Sequence, residues 1–285
     1  MIKLQGRAYA KLNLTLDIVG KRADGYHDLQ MVMTSVSLYD TVHITLGTCM
    51  PWQVFSDCGD IPQNEGNLCY KAARAYFDAA MCDPQGLTVS LQKRIPSQAG
   101  MAGGSSDAAA VLRLLNEHYK ALSETALAQI ALSVGSDVPY CLFGGTALAE
   151  GRGELLTRLP ALPGQMRYVL VKPEFSVSTP ALFRAVDAAG TQVRPDNDAM
   201  IAAIKAGNLP AIGALLQNAF EPEIIRDYPV VEEIRQALLA NGALGARLTG
   251  TGSVVFGVFD GEEAAEAAAA QLKHLYPLVL TAKNI

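Results

Sequence analysis

The chain has 285 residues, half of them hydrophobic and 18% charged, with a formal net charge of −5. That length exceeds a typical single domain, and the composition excludes a disordered chain. The acidic balance argues against a nucleic-acid partner, which would show a basic stripe, but it leaves open a phosphorylated small molecule bound by local cations and backbone donors. No apolar run approaches the roughly 18 residues that span a bilayer, and the start MIKLQGRAYAKLNL lacks the parts of a secretory signal, so the sequence reads as cytoplasmic.

Near the start, Leu12, Leu14, Leu16 and Ile18 alternate with Asn13, Thr15 and Asp17, which predicts a strand with one buried face. The loop GKRADGYH and a strand-like run LQMVMTSVSL follow. Val42, Ile44 and Leu46, and later Leu87, Val89 and Leu91, repeat the alternation, with His43 on an exposed, polar side. Between them NLCYKAARAYFDAA (67–80) predicts a helix with Leu68, Ala72, Ala75 and Tyr76 near one face.

The stretch RIPSQAGMAGGSSDAAAVLRLLN (94–116) runs from a turn into a helix whose buried face carries Ala108, Val111, Leu112, Leu115 and Tyr119. SETALAQIALSVG predicts another helix, with Ser123 as N-cap and Gly135 at its end. The prolines and glycine of LTRLPALPGQM suggest a domain boundary, giving domains 1–158 and 159–285. Beyond it YVLVKP and SVVFGVF read as strands, while IAAIKAGNLPAIGALLQN, VVEEIRQALLANG and GEEAAEAAAAQLKHL read as helices. His118 and His274 fall late in predicted helices, where a cation favours the helix dipole. The irregular alternation of strands and helices fits an α+β architecture.

Cys49, Cys58, Cys69, Cys82 and Cys141 are odd in number and scattered, which fits reduced thiols filling the core better than metal ligands. The glycine cluster before the 103–119 helix has two readings. It is a flexible turn with a serine cap, or an anion cradle in which glycines let backbone N–H groups approach phosphate. Neither G-x-x-x-x-G-K-[ST] nor G-x-G-x-x-G occurs, so a bound nucleotide would need a different loop.

Three segments, AKLNLTLDIVGKRADGYH, PSQAGMAGGSSDAA and ARLTGTGSVVFG, resemble in order and wording the three motifs of the GHMP kinase superfamily, over almost the whole chain. The resemblance implies a ribosomal protein S5 domain 2-like N-terminal domain, a ferredoxin-like C-terminal domain, and ATP and Mg²⁺ as cofactors, with the Mg²⁺ ligands unassigned. It places Gly100, Gly103, Gly104, Ser105 and Ser106 around the triphosphate and Asn67 and Lys93 on the adenosine. Asp137 would be the catalytic carboxylate and Lys11 its partner. Gly250, Thr251, Gly252 and Ser253 form the third motif. Some relatives have glycine where this chain has Ala102, so an ordinary negative φ is expected there. A carboxylate at Asp107 suits the helix dipole but repels phosphate unless it turns away or helps to hold Mg²⁺; its role is left open, with capping favoured.

Lys11, Asn13, Leu16, Ile18, Gly20, Arg22, Asp24, Gly25, Tyr26 and His27 further resemble the branch of that superfamily that phosphorylates a small-molecule cytidine diphosphate methylerythritol. That implies stacking on the base by Tyr26, reading of the cytosine edge by His27, and contact of Asn13 with substrate hydroxyls or the catalytic pair. Phe183 is either an aromatic on the other face of the base or a helix core residue. Arg22, Lys172 and Arg152 are surface charges or partners of the diphosphate. The protein is expected to be a monomer or homodimer. The competing readings are a homoserine- or mevalonate-type kinase, a decarboxylase of the same superfamily, and a sensor without catalysis.

Overall fold

A computed structural model describes residues 1–48, 50–59, 61–190 and 193–285, and its chain divides into two compact units. The first comprises Met1–Ala10, Leu38–Ser97 and Ala102–Gly144, and the second Lys11–Ser37, Gln98–Met101 and Gly145–Ile285. Two long strands, β1 (Ile2–Lys21) and β2 (His27–Leu46), contribute to both.

In the first unit β3 (Gln53–Ser56), α1 (Leu68–Ala80), β4 (Leu87–Gln92), α2 (Gly103–Tyr119), α3 (Glu124–Val134) and α4 (Val138–Phe143) follow in chain order. The second half of β2 pairs antiparallel with β4, and β3 lies parallel on the far side of β4. Val42, Ile44 and Leu46 are buried while His43 is half-buried, so the predicted alternation holds but its polar side is partly covered. The core packs these strands against Ala72, Ala73, Tyr76 and Phe77 of α1 and Ala108, Val111, Leu112 and Leu115 of α2. Ala75, expected on the buried face of α1, is only half-buried. Asn67 caps α1 by accepting from the Cys69 N–H, and Ser123 caps α3 by accepting from Ala126.

The second unit adds β5 (Thr146–Gly151), β6 (Leu155–Arg158), β7 (Met166–Lys172), α5 (Thr179–Ala189), α6 (Asn197–Lys205), α7 (Leu209–Ala214), β8 (Gln217–Asn218), α8 (Glu221–Asp227), α9 (Val230–Ala240), β9 (Gly245–Leu248), β10 (Val255–Asp260), α10 (Glu262–Leu272) and β11 (Leu278–Lys283). Four of these strands form an antiparallel sheet in the order β11-β7-β10-β9. With helices between β7 and β9 and between β10 and β11, this is the ferredoxin-like β-α-β-β-α-β arrangement that the family resemblance implied.

Three expectations are corrected here. β1 is not a one-face strand: residues 10–18 are buried throughout, polar positions included. The polar side chains are tolerated because each is partnered. Thr15 donates to Asn197 at 2.5 Å and accepts from the Val32 N–H, Asn13 donates to the Met31 sulfur, and Asp17 pairs with Arg194 at 3.0 Å. The segment 201–218 is not one helix. Gly207 takes a positive φ of 63°, Asn208 caps a new helix by accepting from Ala211, and Gln217–Asn218 leaves helix altogether to pair parallel with Thr15 and Leu16. His274 lies beyond the end of α10.

The cysteines also differ from expectation. Cys69 is buried in the core, Cys141 is half-buried and packs against it, Cys58 is half-buried and Cys82 is exposed; Cys49 lies outside the described residues. Burial pushes the Cys69 thiol well above its ordinary pKa. Among the described residues no helix is long and apolar enough to cross a membrane.

Candidate active site

In the first unit the glycine-serine cluster opens α2. A helix start leaves its first N–H groups without intrahelical partners, and here Ala102 at the N-cap supplies no side-chain acceptor. The Ser106 N–H already donates to the Ala102 carbonyl and its hydroxyl donates to the Tyr9 carbonyl at 2.6 Å. Gly103, Gly104 and Ser105 therefore carry the donors at this terminus, while Ser106 fixes the turn. Ala102 adopts φ 58°, left-handed, not the negative φ expected; the backbone must turn there to enter the helix, and alanine bears the strain.

Asp107 does not cap α2, as was expected. It is buried and points at Lys93, whose ammonium also meets Asp40 on β2. Asp40 accepts in addition from the backbone N–H groups of Arg94 and Ile95, so it ties down the start of the glycine loop. Asn67 likewise has both ends of its amide engaged, with Cys69 and with the Pro62 carbonyl. Asp137 stands half-buried at the N-cap position of α4, with Pro139 in the first turn, and its carboxylate makes no capping bond.

In the second unit Lys11 is buried, at 4% exposure for the residue, and its ammonium donates to Asn13 at 2.6 Å. The Asn13 N–H donates to the Thr249 hydroxyl, which donates in turn to the Gly100 carbonyl. The third glycine motif is the β9–β10 connection, and it is pinned by Asn218, which donates to the carbonyls of Leu248 and Gly250. Backbone packing here leaves no room: a Cβ on Gly100 would lie 2.1 Å from the Thr249 carbonyl oxygen, and φ at Gly100 is 71°.

The same unit holds the aromatic set. Tyr26 is 51% exposed, and the Arg152 guanidinium lies 3.8 Å from its ring centroid. His27 is buried and stacks on Phe183 at 4.6 Å and 20°. Phe183 meets Phe220 edge-on at 4.9 Å. The His27 Nε2 is 2.7 Å from Asp187, whose other oxygen accepts from Lys21 at 2.6 Å. Lys21 first and His27 second hold the Asp187 carboxyl below the usual carboxylate range. Arg22 is paired with Asp24 and Asp28 on the surface, and Lys172 donates to the Pro173 carbonyl.

Sequence reasoning missed Asp40, Asn218, Thr249 and Asp187. Asp187 lies four residues after Phe183 in α5, a spacing that puts the two on one face of the helix. For Asp40 and Asn218, a polar residue in or beside an apolar run gave no indication of its partner.

Residues 67–145 match the GHMP kinases N terminal domain, and residues 200–278 match the GHMP kinases C terminal family. A 4-diphosphocytidyl-2-C-methyl-D-erythritol kinase of Caldicellulosiruptor bescii is 42% identical over 94% of this chain and 93% of its own length. One from Clostridium tetani is 40% identical over 98% of this chain and 99% of its own. A crystal structure of 4-(cytidine 5'-diphospho)-2C-methyl-D-erythritol kinase superposes with a TM-score of 0.82 at 33% identity, covering 98% of each chain. The chain belongs to the GHMP kinases and, within that class, to the family of the 4-diphosphocytidyl-2-C-methyl-D-erythritol kinases. ATP is accordingly its phosphoryl donor.

Proposed function

We propose that this chain transfers the γ-phosphoryl group of ATP to the 2-hydroxyl of 4-diphosphocytidyl-2-C-methyl-D-erythritol, a step of non-mevalonate isoprenoid precursor synthesis. Kinship with enzymes of that name supports the reading, and the observation that carries it to the substrate is the buried His27, held by Asp187 and Phe183 in the D-G-Y-H segment.

In this proposal the N–H groups of Gly103, Gly104 and Ser105 bind phosphate oxygens, where the helix terminus adds partial positive charge. Asp137 receives or orients the proton of the acceptor hydroxyl. The acceptor oxygen then bonds to the γ-phosphorus as the bond from phosphorus to the bridging oxygen breaks, and ADP leaves. Lys11, oriented by Asn13, offsets charge on the transferring group. Mg²⁺ would supply charge neutralisation on the phosphates; it prefers oxygen ligands, and the Ser105 hydroxyl and the half-buried Asp137 carboxylate, which makes no capping bond, would be the residues to hold it. Asn67 and Lys93 are assigned to the adenosine by resemblance, Gly250, Thr251, Gly252 and Ser253 to the third motif, and Tyr26 to stacking on the base. Residues 1–158 and 159–285 remain the functional division within this proposal.

The test is ADP formation from Mg-ATP with four acceptors in separate reactions: 4-diphosphocytidyl-2-C-methyl-D-erythritol, methylerythritol without the cytidine phosphate, homoserine and mevalonate. Turnover confined to the first is expected. Turnover with another acceptor in its place would overturn the substrate assignment.

A further inference from the structure

His27 is a neutral acceptor or a donor toward a ligand depending on which ring nitrogen holds the proton, and its surroundings decide this. Its Nε2 lies 2.7 Å from Asp187 Oδ1. An ionised carboxylate only accepts, so in the neutral imidazole the proton belongs on Nε2 and Nδ1 is left with a lone pair. Asp187 is itself held in place, because Lys21 donates to its second oxygen at 2.6 Å. The ring cannot easily swing away, being stacked on Phe183, which is braced by Phe220.

We propose that Asp187, backed by Lys21, is a specificity-determining positioning residue: it locks His27 in the Nε2–H tautomer, so that Nδ1 accepts from the exocyclic amine of cytosine and rejects uracil. The inference rests on the reading of His27 as the residue that meets the base edge. Cytosine presents an N4 amino donor where uracil presents the O4 acceptor. A lone pair on Nδ1 pairs with the first and opposes the second. A ring carrying its proton on Nδ1 would do the reverse.

The informative variant is Asp187→Asn. Lys21 has donors only, so it keeps the single amide oxygen and turns the amide NH₂ toward His27. Nε2 must then accept, and the proton moves to Nδ1. Two measurements on the full chain test this. The first is the ¹⁵N spectrum of the histidine ring nitrogens, with His27 assigned by its loss in His27→Gln. The wild type is expected as the Nε2–H tautomer and Asp187→Asn as Nδ1–H. The second is kcat/KM for the cytidine substrate against its uridine analogue. The wild type is expected to favour cytidine, and the ratio should fall at least about tenfold in Asp187→Asn, the effect of exchanging one matched hydrogen bond for a mismatched one. Asp187→Glu should recover part of it.

A wild-type ring protonated on Nδ1 overturns the lock whatever the substrate. So does an unchanged base preference in Asp187→Asn once the tautomer has shifted. Failure of the cytidine reading itself looks different: the wild type then turns over neither nucleotide, or both equally, while the ring spectrum still reports the lock.

Discussion

The Lys93 ammonium lies 2.5 Å from an Asp107 carboxylate oxygen, and both side chains are buried with Asp40 as a third partner. One ammonium thus faces two carboxylates out of reach of water. Removing the cation would leave both acids uncompensated, so Lys93→Met should destabilise the protein by about 3–5 kcal/mol, read by urea denaturation at pH 8. A loss below about 1 kcal/mol would mean that the cluster relaxes to reach solvent.

The same cluster predicts a pH dependence. Burial, and then the neighbouring Asp40 charge, push the Asp107 carboxyl up to about 7 against the pull of Lys93. A carboxyl raised in the folded state binds its proton more tightly there than in the unfolded chain. Its contribution to stability is therefore full below the unfolded pKa of about 4 and is lost as pH rises through about 7. Between pH 5 and 8 the wild type should lose on the order of 2–3 kcal/mol relative to Asp107→Asn, whose amide does not titrate. Parallel stability curves for the two proteins over that window would show that Asp107 is an ordinary ionised carboxylate.

The loop before α2 offers an opposed pair of substitutions. Ala102 sits at φ 58°, where glycine avoids a penalty of about 1–2 kcal/mol but adds freedom to the unfolded chain. Ala102→Gly should therefore stabilise by about 0.5–1 kcal/mol. Gly100→Ala should do the reverse with greater force, since its Cβ would strike the Thr249 carbonyl oxygen, a backbone atom that cannot rotate away. A loss of about 3 kcal/mol or more is expected, with ADP formation reduced in step. Thermal unfolding of the two variants side by side measures both signs; a stable, active Gly100→Ala would refute the close approach.

What was legible in the sequence is what depends on neighbours in the chain. Asn67, Ser123 and Asn208 cap helices through N–H groups within three residues, and Ser123 was placed as a cap from the sequence. The alternation at Val42, Ile44 and Leu46 survives because one strand face is packed on α1 and α2. What failed depends on distant chain. Gln217–Asn218 leaves the helical pattern to pair with Thr15 and Leu16, and Asp40 finds Lys93 across 53 positions. The left-handed turn at Ala102 was hidden because alanine ordinarily marks helix interior. The motif residues were readable as a set by resemblance, but the second layer that orients them, Asp187 behind His27 and Thr249 behind Asn13, came only with the fold.

The buried polar row of β1 predicts a substitution effect that hydrophobicity alone would get wrong. Thr15 donates to Asn197 and accepts from the Val32 N–H. Thr15→Val keeps the shape and adds apolar surface, yet strands a buried carbonyl oxygen and a buried N–H. It should destabilise by about 2 kcal/mol in urea denaturation, while Thr15→Ser, which keeps the hydroxyl, should lose less than half of that. A Thr15→Val protein as stable as wild type would mean that the two hydrogen bonds of the hydroxyl contribute little to the fold.

Asp137 is the residue on which the proposed chemistry turns. It occupies an N-cap position, where a carboxylate ordinarily accepts from the helix N–H groups, but its side chain makes no such bond. The fold of α4 therefore does not depend on that carboxylate, and replacing it should separate chemistry from stability. Asp137→Asn preserves size and removes the base. General acid–base assistance is worth about 10²–10⁴ in rate, so kcat should fall at least about 100-fold. ATP affinity, measured by calorimetry, should stay within about threefold, and the unfolding midpoint should be unchanged, as for a substitution outside the packed core. A kcat within tenfold of wild type would remove Asp137 from proton transfer and leave phosphate positioning by α2 as the main source of rate.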